Sequence, residues 1–501
     1  MPNRSQGAPD AHGSGCYSAA HQSAKVERFE ARAFGGDGER MLQATFLGHQ
    51  GWLLSTSHTR VFVDPLLTEG FGHGGLAGRV HPPRRFDMPR MPAIDAVWLT
   101  HEHDDHFDLP SLCSLARSIP IYASSRSSVA LHGVLADLGF TVHPVGPDAV
   151  VPIGDLTLRT FVADHRATPL ADEWDVLPLL ATDADGQGAF ASSVDVAMPD
   201  RLLEVLASMP ERAWVLGLAN NTTDVRFADD LATRIEPSDD TDALAAVLHR
   251  RIARASTEAG TPAHVAITGG GWSHHDGWID RVAFCIDPDR LAAALAESSQ
   301  ARVSAVRPGD TIALDGSEAR VHRATWLQAH PDARPAPAAV EPPTVIVPAC
   351  GRRRLSGDGR ERLEYGLREL ARYLYARPPF VAAHSQSMRH PFGVWLHDEA
   401  GELVYAWTPT AGCFERVDTD DARSAFASGL RLWATDLLAL FEGELGASAV
   451  CYTGRLRYWN HEPDRLRVGP QLLWTFAHPL HRPEIARRLY GRIVAGSCGL
   501  Q

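Results

Sequence analysis

The run THEHDDH (100–106) places three imidazoles and three carboxylates directly after an apolar segment. Such a density of ionisable groups is costly unless something compensates it, because like charges repel and desolvated ions need partners. His101 and His103 alternate with a glutamate, so both imidazoles point the same way from an extended segment, where two nitrogens can bind one ion. Asp105 and His106 follow without alternation, which requires a turn and aims a second pair at an adjacent site. The run therefore predicts a centre of two metal ions about 3.5–4 Å apart.

The elements around this run must place it at the end of a strand. The apolar segment Ala93–Leu99 predicts a strand that stops where the run begins. Asp108 as N-cap and Pro110 in the first turn predict a helix directly afterwards. Short strands precede the run within 41–67, and strands alternate with helices further along the chain. We therefore expect an α/β fold that carries the run on a loop at the carboxyl end of a strand.

Further candidate ligands also follow predicted strands. The strand predicted over 156–165 ends at His165, and the strand predicted over 189–196 reaches Asp195. Glu173 lies between them and is interpreted as surface charge, with metal ligation as the alternative.

The spacing His101-x-His103-x-Asp105-His106 resembles the metal-binding signature of the metallo-β-lactamase fold superfamily. Residues 46–67 resemble that superfamily's opening strands, which end in an aspartate beside the metal site. The resemblance covers roughly residues 42–315 and implies an αββα sandwich with the metals at one edge. It looks closest to the branch of UlaG-like lactonases and N-acylphosphatidylethanolamine-type phosphodiesterases.

The resemblance also implies a set of metal ligands. One ion would be held by His101, His103 and His165, the other by Asp105 and His106, and Asp195 would bridge both. Val194 stands where the superfamily usually has a glycine before the bridging aspartate. Asp105 is in addition the candidate catalytic residue, since it could orient a metal-bound hydroxide or carry a proton to the leaving group.

The superfamily's final histidine has no counterpart at its expected place. Arg307 and Asp310 occupy that segment, within 302–314. Three histidines remain alternative candidates for this ligand: His274, His275 and His384.

Three functions fit these residues. We favour a hydrolase in which two divalent ions, Zn or Mn, activate water against an ester, lactone, amide or phosphodiester of a small molecule. The alternative is a diiron oxygenase on the same fold, similar to the chloramphenicol-pathway β-hydroxylase, in which a glutamate replaces the histidine of the third motif. Glu173 lies at a suitable distance for that role. The long chain also resembles the CMP-sialic acid hydroxylase family, although it lacks a CxH…CxxH Rieske pattern. A non-catalytic metal-binding scaffold is the third hypothesis.

Composition excludes other classes of protein. The 501 residues are 44% apolar and 22% charged, as in ordinary globular proteins. The net charge of −13 argues against nucleic-acid and anionic-membrane partners. Seven dispersed cysteines without a CxxC pair indicate a reducing compartment and no disulfide framework. With neither a signal peptide nor a stretch of about 20 apolar residues, we expect a cytoplasmic protein without a membrane span.

Changes in composition predict four regions. These are a disordered leader (1–40), a catalytic domain (41–327), a Pro/Ala-rich linker (328–344) and a smaller α+β domain (345–501). The last region shows a helical pattern over 363–376, a hairpin over 392–408 and an amphipathic helix over 426–445. Residues 437–460 within it distantly resemble sterol-carrier-type domains. Four of its tryptophans are interpreted as core residues, with a pocket for an apolar substrate moiety as the alternative: Trp407, Trp433, Trp459 and Trp474.

Overall fold

The computed structural model describes residues 41–73, 77–163, 173–209, 212–219, 241–269, 272–273, 288–315, 318–330, 347–377, 381, 390–408, 410, 412–451, 453–462 and 471–497. Outside these ranges lie the predicted leader, residues 331–344 of the predicted linker, and the candidate ligands His165, His274, His275 and His384. The division into a catalytic domain, a linker and a C-terminal domain stays a prediction.

The described part of the chain contains the following elements. The strands are β1 (Gln43–Gly48), β2 (Gly51–Ser55), β3 (Arg60–Val63), β4 (Gly70–Phe71), β5 (Gly78–Val80), β6 (Arg84–Phe86), β7 (Ala96–Leu99), β8 (Ile121–Ser124), β9 (Val142–Val145), β10 (Val150–Ile153), β11 (Leu156–Thr160), β12 (Leu179–Asp183), β13 (Gly188–Ser192), β14 (Ala213–Ala219), β15 (His264–Thr268), β16 (Trp272–Ser273), β17 (Arg302–Ala305), β18 (Asp310–Asp315), β19 (Glu318–Arg323), β20 (Leu327–Ala329), β21 (His390–His397), β22 (Leu403–Thr408), β23 (Cys413–Val417), β24 (Phe426–Trp433) and β25 (Arg457–Asn460). The helices are α1 (Leu109–Cys113), α2 (Val129–Asp137), α3 (Asp200–Ala207), α4 (Thr241–Ala259), α5 (Pro288–Ser298), α6 (Gly359–Tyr375), α7 (Ala422–Ala425), α8 (Ala434–Phe441), α9 (Ser448–Cys451), α10 (Gln471–Phe476) and α11 (Pro483–Ser497).

Two large sheets dominate the first two thirds of the chain. The first has the strand order β19-β18-β1-β2-β3-β7-β8-β9, antiparallel from β19 to β3 and parallel from β3 to β9. The second has the order β10-β11-β12-β13-β14-β15-β17, antiparallel up to β13 and parallel beyond it. In both sheets, loops that follow parallel strands leave from one edge, which is where α/β folds place their sites.

The two sheets pack face to face. Trp52 of the first sheet lies between Phe46 and Phe190, with ring centroids 5.2 and 4.9 Å apart, and one apolar core joins both inner faces. The outer face of the first sheet is covered by α1, α2 and α11, and that of the second by α3, α4 and α5. The fold is therefore an αββα sandwich, as the sequence resemblance implies.

The C-terminal part is α+β, as expected. Its five-stranded sheet has the order β23-β22-β21-β24-β25, and α6 and α8 pack against it in a separate apolar core. Trp407 and Trp459 are fully buried and Trp433 is buried, which agrees with the core interpretation of these three. Helix α11 leaves this region and packs on the sandwich, where Ala486, Tyr490 and Val494 join the core of α1 and α2.

The helix predicted over 426–445 is wrong in its first half. Residues 426–433 form β24, a central strand between β21 and β25, and only 434–441 are helical. All residues of β24 except Arg431 are buried. The strand FASGLRLW is buried on both faces and shows no strict alternation of apolar and polar residues, so its periodicity does not distinguish it from a buried helix.

Two observations concern the environment of the chain. No helix in the described ranges combines the length and the apolar character that crossing a membrane requires. Cys113 is disulfide-bonded, whereas the other cysteines described, Cys350, Cys413 and Cys451, are free thiols. The dispersed spacing of the cysteines did not predict this bond, and the cytoplasmic location stays a prediction.

Candidate metal centre

Asp64 fixes the start of the metal-ligand loop. Strands β3 and β7 are parallel neighbours, so Asp64 after β3 and Thr100 after β7 meet at the same edge of the sheet. Asp64 has a φ of +46°, and its carboxylate accepts hydrogen bonds from the backbone N–H of Thr100 (2.8 Å) and from its hydroxyl (2.6 Å). The same carboxylate lies 2.8 Å from Nδ1 of His106. A carboxylate on one ring nitrogen orients the imidazole and leaves the other nitrogen for a metal.

The first group of donor atoms comes from three segments. Nε2 of His101 lies 3.8 Å and Nδ1 of His103 lies 3.7 Å from the same carboxylate oxygen of Glu173, and Nε2 of His101 lies 3.5 Å from Asp195. One donor atom from each of these four residues falls within 4.8 Å of the others. Glu173 is 6% exposed, so its interpretation as surface charge is wrong.

The second group of donor atoms includes a histidine that the sequence analysis missed. Nε2 of His49 lies 2.8 Å from a carboxylate oxygen of Asp105, and Nε2 of His106 lies 3.8 Å from the same oxygen. His49 sits in the tight turn between β1 and β2 with a φ of +54°, and its carbonyl accepts a hydrogen bond from the N–H of Gly269. The available signal was a polar pair, His49-Gln50, between two apolar strands.

Asp195 lies between the two groups. Its Oδ2 is 3.1 Å from Nε2 of His106 and 3.5 Å from Nε2 of His101, while its Oδ1 accepts a hydrogen bond from the amide of Gln50. Val194 before it has a φ of +56°, a left-handed conformation that glycine favours. Asp195 therefore lies near histidines of both groups, and its role as a bridging ligand stays a prediction.

The charges in the cluster compensate one another. Burial lowers the pKa of His101 to about 4, and the neighbouring His106 adds to this effect. Burial also disfavours the charged form of His103, but Glu173 and Asp105 outweigh it and raise its pKa to about 9. The carboxylates around His106 likewise overcome its burial and hold its pKa well above the usual value. Conversely, His106 and His101 overcome the burial of Asp195 and hold its pKa well below the ordinary range.

The donor set fits a metal centre. Nε2 of His101 and Nε2 of His106 are buried and make no hydrogen bond with any described residue, as expected of nitrogens aimed at an ion. Imidazole nitrogens combined with carboxylate oxygens suit Zn, Fe and Mn.

The predicted site residues are distributed as follows. The five that the structure describes lie together: His101, His103, Asp105, His106 and Asp195. His165 and the three alternatives for the final histidine are outside the described ranges. Arg307 does not join the cluster, because its guanidinium pairs with Asp289 at 2.6 Å.

The two remaining carboxyl groups of the loop point away from the donors and contact other parts of the chain. Glu102 accepts hydrogen bonds from the N–H and the hydroxyl of Ser128, both at 2.6 Å, and from the hydroxyl of Tyr490 at 2.8 Å. Asp104 accepts one from the hydroxyl of Ser448. Burial raises the pKa of Glu102 to about 8 and that of Asp104 to about 7. Tyr490 and Ser448 belong to the C-terminal part, which therefore helps to position the loop.

Comparison with known proteins matches the segment that carries all of this cluster except His49. Residues 59–207 match the family model described as the beta-lactamase superfamily domain. The match includes the run 100–106, Glu173 and Asp195. This segment is therefore similar to the metallo-β-lactamase superfamily, as the sequence predicts.

Curated relatives and solved structures match over limited regions. An uncharacterized protein of Mycobacterium tuberculosis is 31% identical over 101 residues, which are 20% of this chain and 27% of that protein. The cytidine monophosphate-N-acetylneuraminic acid hydroxylase of Danio rerio is 32% identical over 87 residues, which are 17% of this chain and 14% of the hydroxylase. The chain thus spans about a quarter of the length of the first relatives it matches. A metallo hydrolase of Ignicoccus hospitalis aligns with 14% identity and a TM-score of 0.36, over 55% of this chain and 99% of that one.

Proposed function

We propose that this protein is a dinuclear metalloenzyme acting on a small molecule, and specifically a non-haem diiron oxygenase. The observation that carries the finer proposal is the position of Glu173 beside His101 and His103. With Glu173 as a ligand, each group of donors combines two imidazoles and one carboxylate, and Asp195 lies between the groups. Two histidines with one carboxylate and open positions are the donor set typical of non-haem iron oxygenases. The added carboxylates move the metal preference away from zinc.

The proposed reaction is the hydroxylation of a C–H bond. One oxygen atom of dioxygen enters the substrate as a hydroxyl group and the other leaves as water. Two electrons come from an external reductant, either two molecules of a reduced ferredoxin or one reduced flavin, and two protons come from solvent. Bound iron supplies the site at which dioxygen is reduced. Iron would be held by His101, His103 and Glu173 on one side, by His49, Asp105 and His106 on the other, and by Asp195 between them.

The protein's own residues have distinct tasks in this proposal. Asp64 orients His106, and Gln50 orients Asp195, so both act on ligands through hydrogen bonds. Asp105 is the catalytic candidate, because its side chain is 22% exposed whereas those of Glu173 and Asp195 are 8% and 7% exposed. Of the three carboxylates it is the one most accessible to substrate or solvent.

Metal analysis with oxygen uptake tests the proposal. The protein is loaded anaerobically with Fe²⁺, and we expect two irons per chain, an absorption band in the visible range after exposure to air, and oxygen consumption with a chemical reductant. Glu173→Gln should lower iron binding in the first group and remove the band, while the exposed Glu204→Gln should leave both unchanged. A protein that selects zinc, stays colourless and consumes no oxygen would overturn the oxygenase.

A dinuclear hydrolase is the second candidate, favoured by the match of residues 59–207 to the beta-lactamase superfamily domain. The same donors would hold Zn or Mn and activate water, and Asp105 would move the proton. Hydrolysis of a nitrophenyl ester, a lactone or a nitrophenyl phosphodiester by the zinc- or manganese-loaded protein, lost in His103→Ala, identifies this outcome. Two bound metals without any turnover would instead indicate the scaffold.

A further inference from the structure

A cavity of about 60 Å³ lies beside the candidate metal centre. His103, a proposed ligand, forms part of its wall. Trp174, which directly follows Glu173, forms another part. The opposite wall comes from the C-terminal part, from residues within 445–447, 474–479 and 485–490. The cavity therefore connects the proposed metal site with a region that the superfamily segment does not include.

The wall is mainly apolar and presents ring faces. Trp474 packs edge to face on His103 with centroids 5.5 Å apart, and Trp174 lies 5.7 Å from the same imidazole. Leu445, Ala477 and Leu489 complete the surface between them. Trp474 is one of the four C-terminal tryptophans for which a core role and a pocket role were considered. It lines this cavity, which agrees with the pocket role.

The two carboxyl groups of the wall are held by the protein itself, whereas Nδ1 of His73 and Nε1 of Trp174 are buried and make no hydrogen bond with any described residue. Glu102 is held by Ser128 and Tyr490, and Asp104 by Ser448. His73 lies 5.1 Å from the ring of Tyr490, and burial lowers its pKa to about 3, so its imidazole is neutral. A ligand group in this cavity would meet few polar partners, which disfavours a charged group because a buried charge needs compensation.

We propose that this cavity binds an uncharged aromatic ring of the substrate and so presents the neighbouring carbon to the metal centre. That the bound ring belongs to a substrate rests on the proposed function. At about 60 Å³ the cavity holds roughly four water-sized groups, so an aromatic ring enters it only when side chains of the wall move outward. Edge-to-face and offset contacts with Trp174 and Trp474 are the arrangements that aromatic rings prefer.

Fluorobenzene binding followed by ¹⁹F NMR tests the cavity independently of catalysis. We expect fluorobenzene to bind the metal-free full-length protein, and Ala477→Leu, which fills the cavity, to weaken binding at least tenfold. Ala294→Leu on α5 is the matched control, because Ala294 is also half-buried but lies outside the cavity, and its affinity should equal that of the wild type. No binding, or equal binding by Ala477→Leu and the wild type, refutes the proposal.

A second measurement locates the bound ring relative to the metals. With Mn²⁺ bound, the ¹⁹F relaxation of fluorobenzene should rise in the wild type, and this rise should vanish in Ala477→Leu. Binding without relaxation enhancement on the Mn²⁺-loaded protein would place the ring elsewhere and reject the inference. If the protein binds no Mn²⁺ or iron, the proposed function fails, while the affinity loss in Ala477→Leu still decides whether the cavity binds rings.

Discussion

Val194 offers a sharp test of how the chain positions Asp195. Its φ of +56° is a conformation in which a β-branched residue is strained, at a cost of about 1–3 kcal/mol. The side chain is nevertheless buried, and it packs with Ala163, Val176 and Val196. Strain and burial therefore oppose each other at this residue, and substitutions can separate them.

The usual order of alanine and glycine should be reversed at this position. Where φ is positive, alanine is less stable than glycine by about 1 kcal/mol, because the alanine Cβ meets the backbone. Val194→Ala retains this strain and loses most of the buried side chain, whereas Val194→Gly loses the side chain but relieves the strain. We therefore expect Val194→Gly to be more stable than Val194→Ala by about 1 kcal/mol.

Val196 is the matched control. It lies two residues away in the same apolar cluster, is 1% exposed and has no positive φ. In ordinary backbone, glycine is less stable than alanine by about 0.5–1 kcal/mol. Val196→Ala should therefore be more stable than Val196→Gly, which is the opposite order to that at Val194.

Thermal unfolding of the four metal-free variants measures both differences. A change of 1 kcal/mol shifts the midpoint of a domain of this size by about 2–4 °C, and the two pairs should differ in opposite directions. Chelator-treated protein removes any effect of metal binding through Asp195. If Val194→Ala is as stable as Val194→Gly, the strain at this position does not exist and the reasoning fails.

Three further variants test contacts of the candidate centre. His49→Ala should reduce bound metal from two ions to one per chain by elemental analysis after desalting, because the second group loses one of its three donors; two tightly held ions would exclude His49 as a ligand. Asp64→Asn, which removes the charged acceptor of His106, should weaken one metal about 10–100-fold in competition with a chelator, and an unchanged affinity would contradict the orienting role. Tyr490→Phe removes one of the three hydrogen bonds to buried Glu102 and should cost about 1–2 kcal/mol in denaturant unfolding; a wild-type midpoint would show that this bond contributes nothing.

Local chemistry was predictable where neighbouring residues carry the information. The run 100–106 follows a strand and precedes an N-capped helix in the structure as predicted, since Asp108 accepts a hydrogen bond from Ser111 at the start of α1. The hairpin over 392–408 and the helix over 363–376 are likewise present as β21, β22 and α6. Periodicity and capping act over a few residues, and short segments of sequence contain both.

Misassignments arose where tertiary contacts decide the outcome. Glu173 reads as surface charge within ADEWDVLPLL, yet it is buried beside His101 and His103. Residues 426–433 read as part of a helix, but pairing on both sides makes them a strand. In each case the sequence shows the residue type, and the partner lies far along the chain.

The sequence by itself predicted the αββα class and five of the side chains that lie together in the cluster, because strand patterns, the spacing within a short motif and the resemblance it carries are all visible in the sequence. Only the tertiary structure decided that His49 and Glu173 join those donors. The turn after β1, the loop after β7 and the segment after β13 meet because two sheets pack face to face with those ends at one edge. Strand order and sheet packing create that edge. The separation of these residues along the chain therefore does not predict that they meet there.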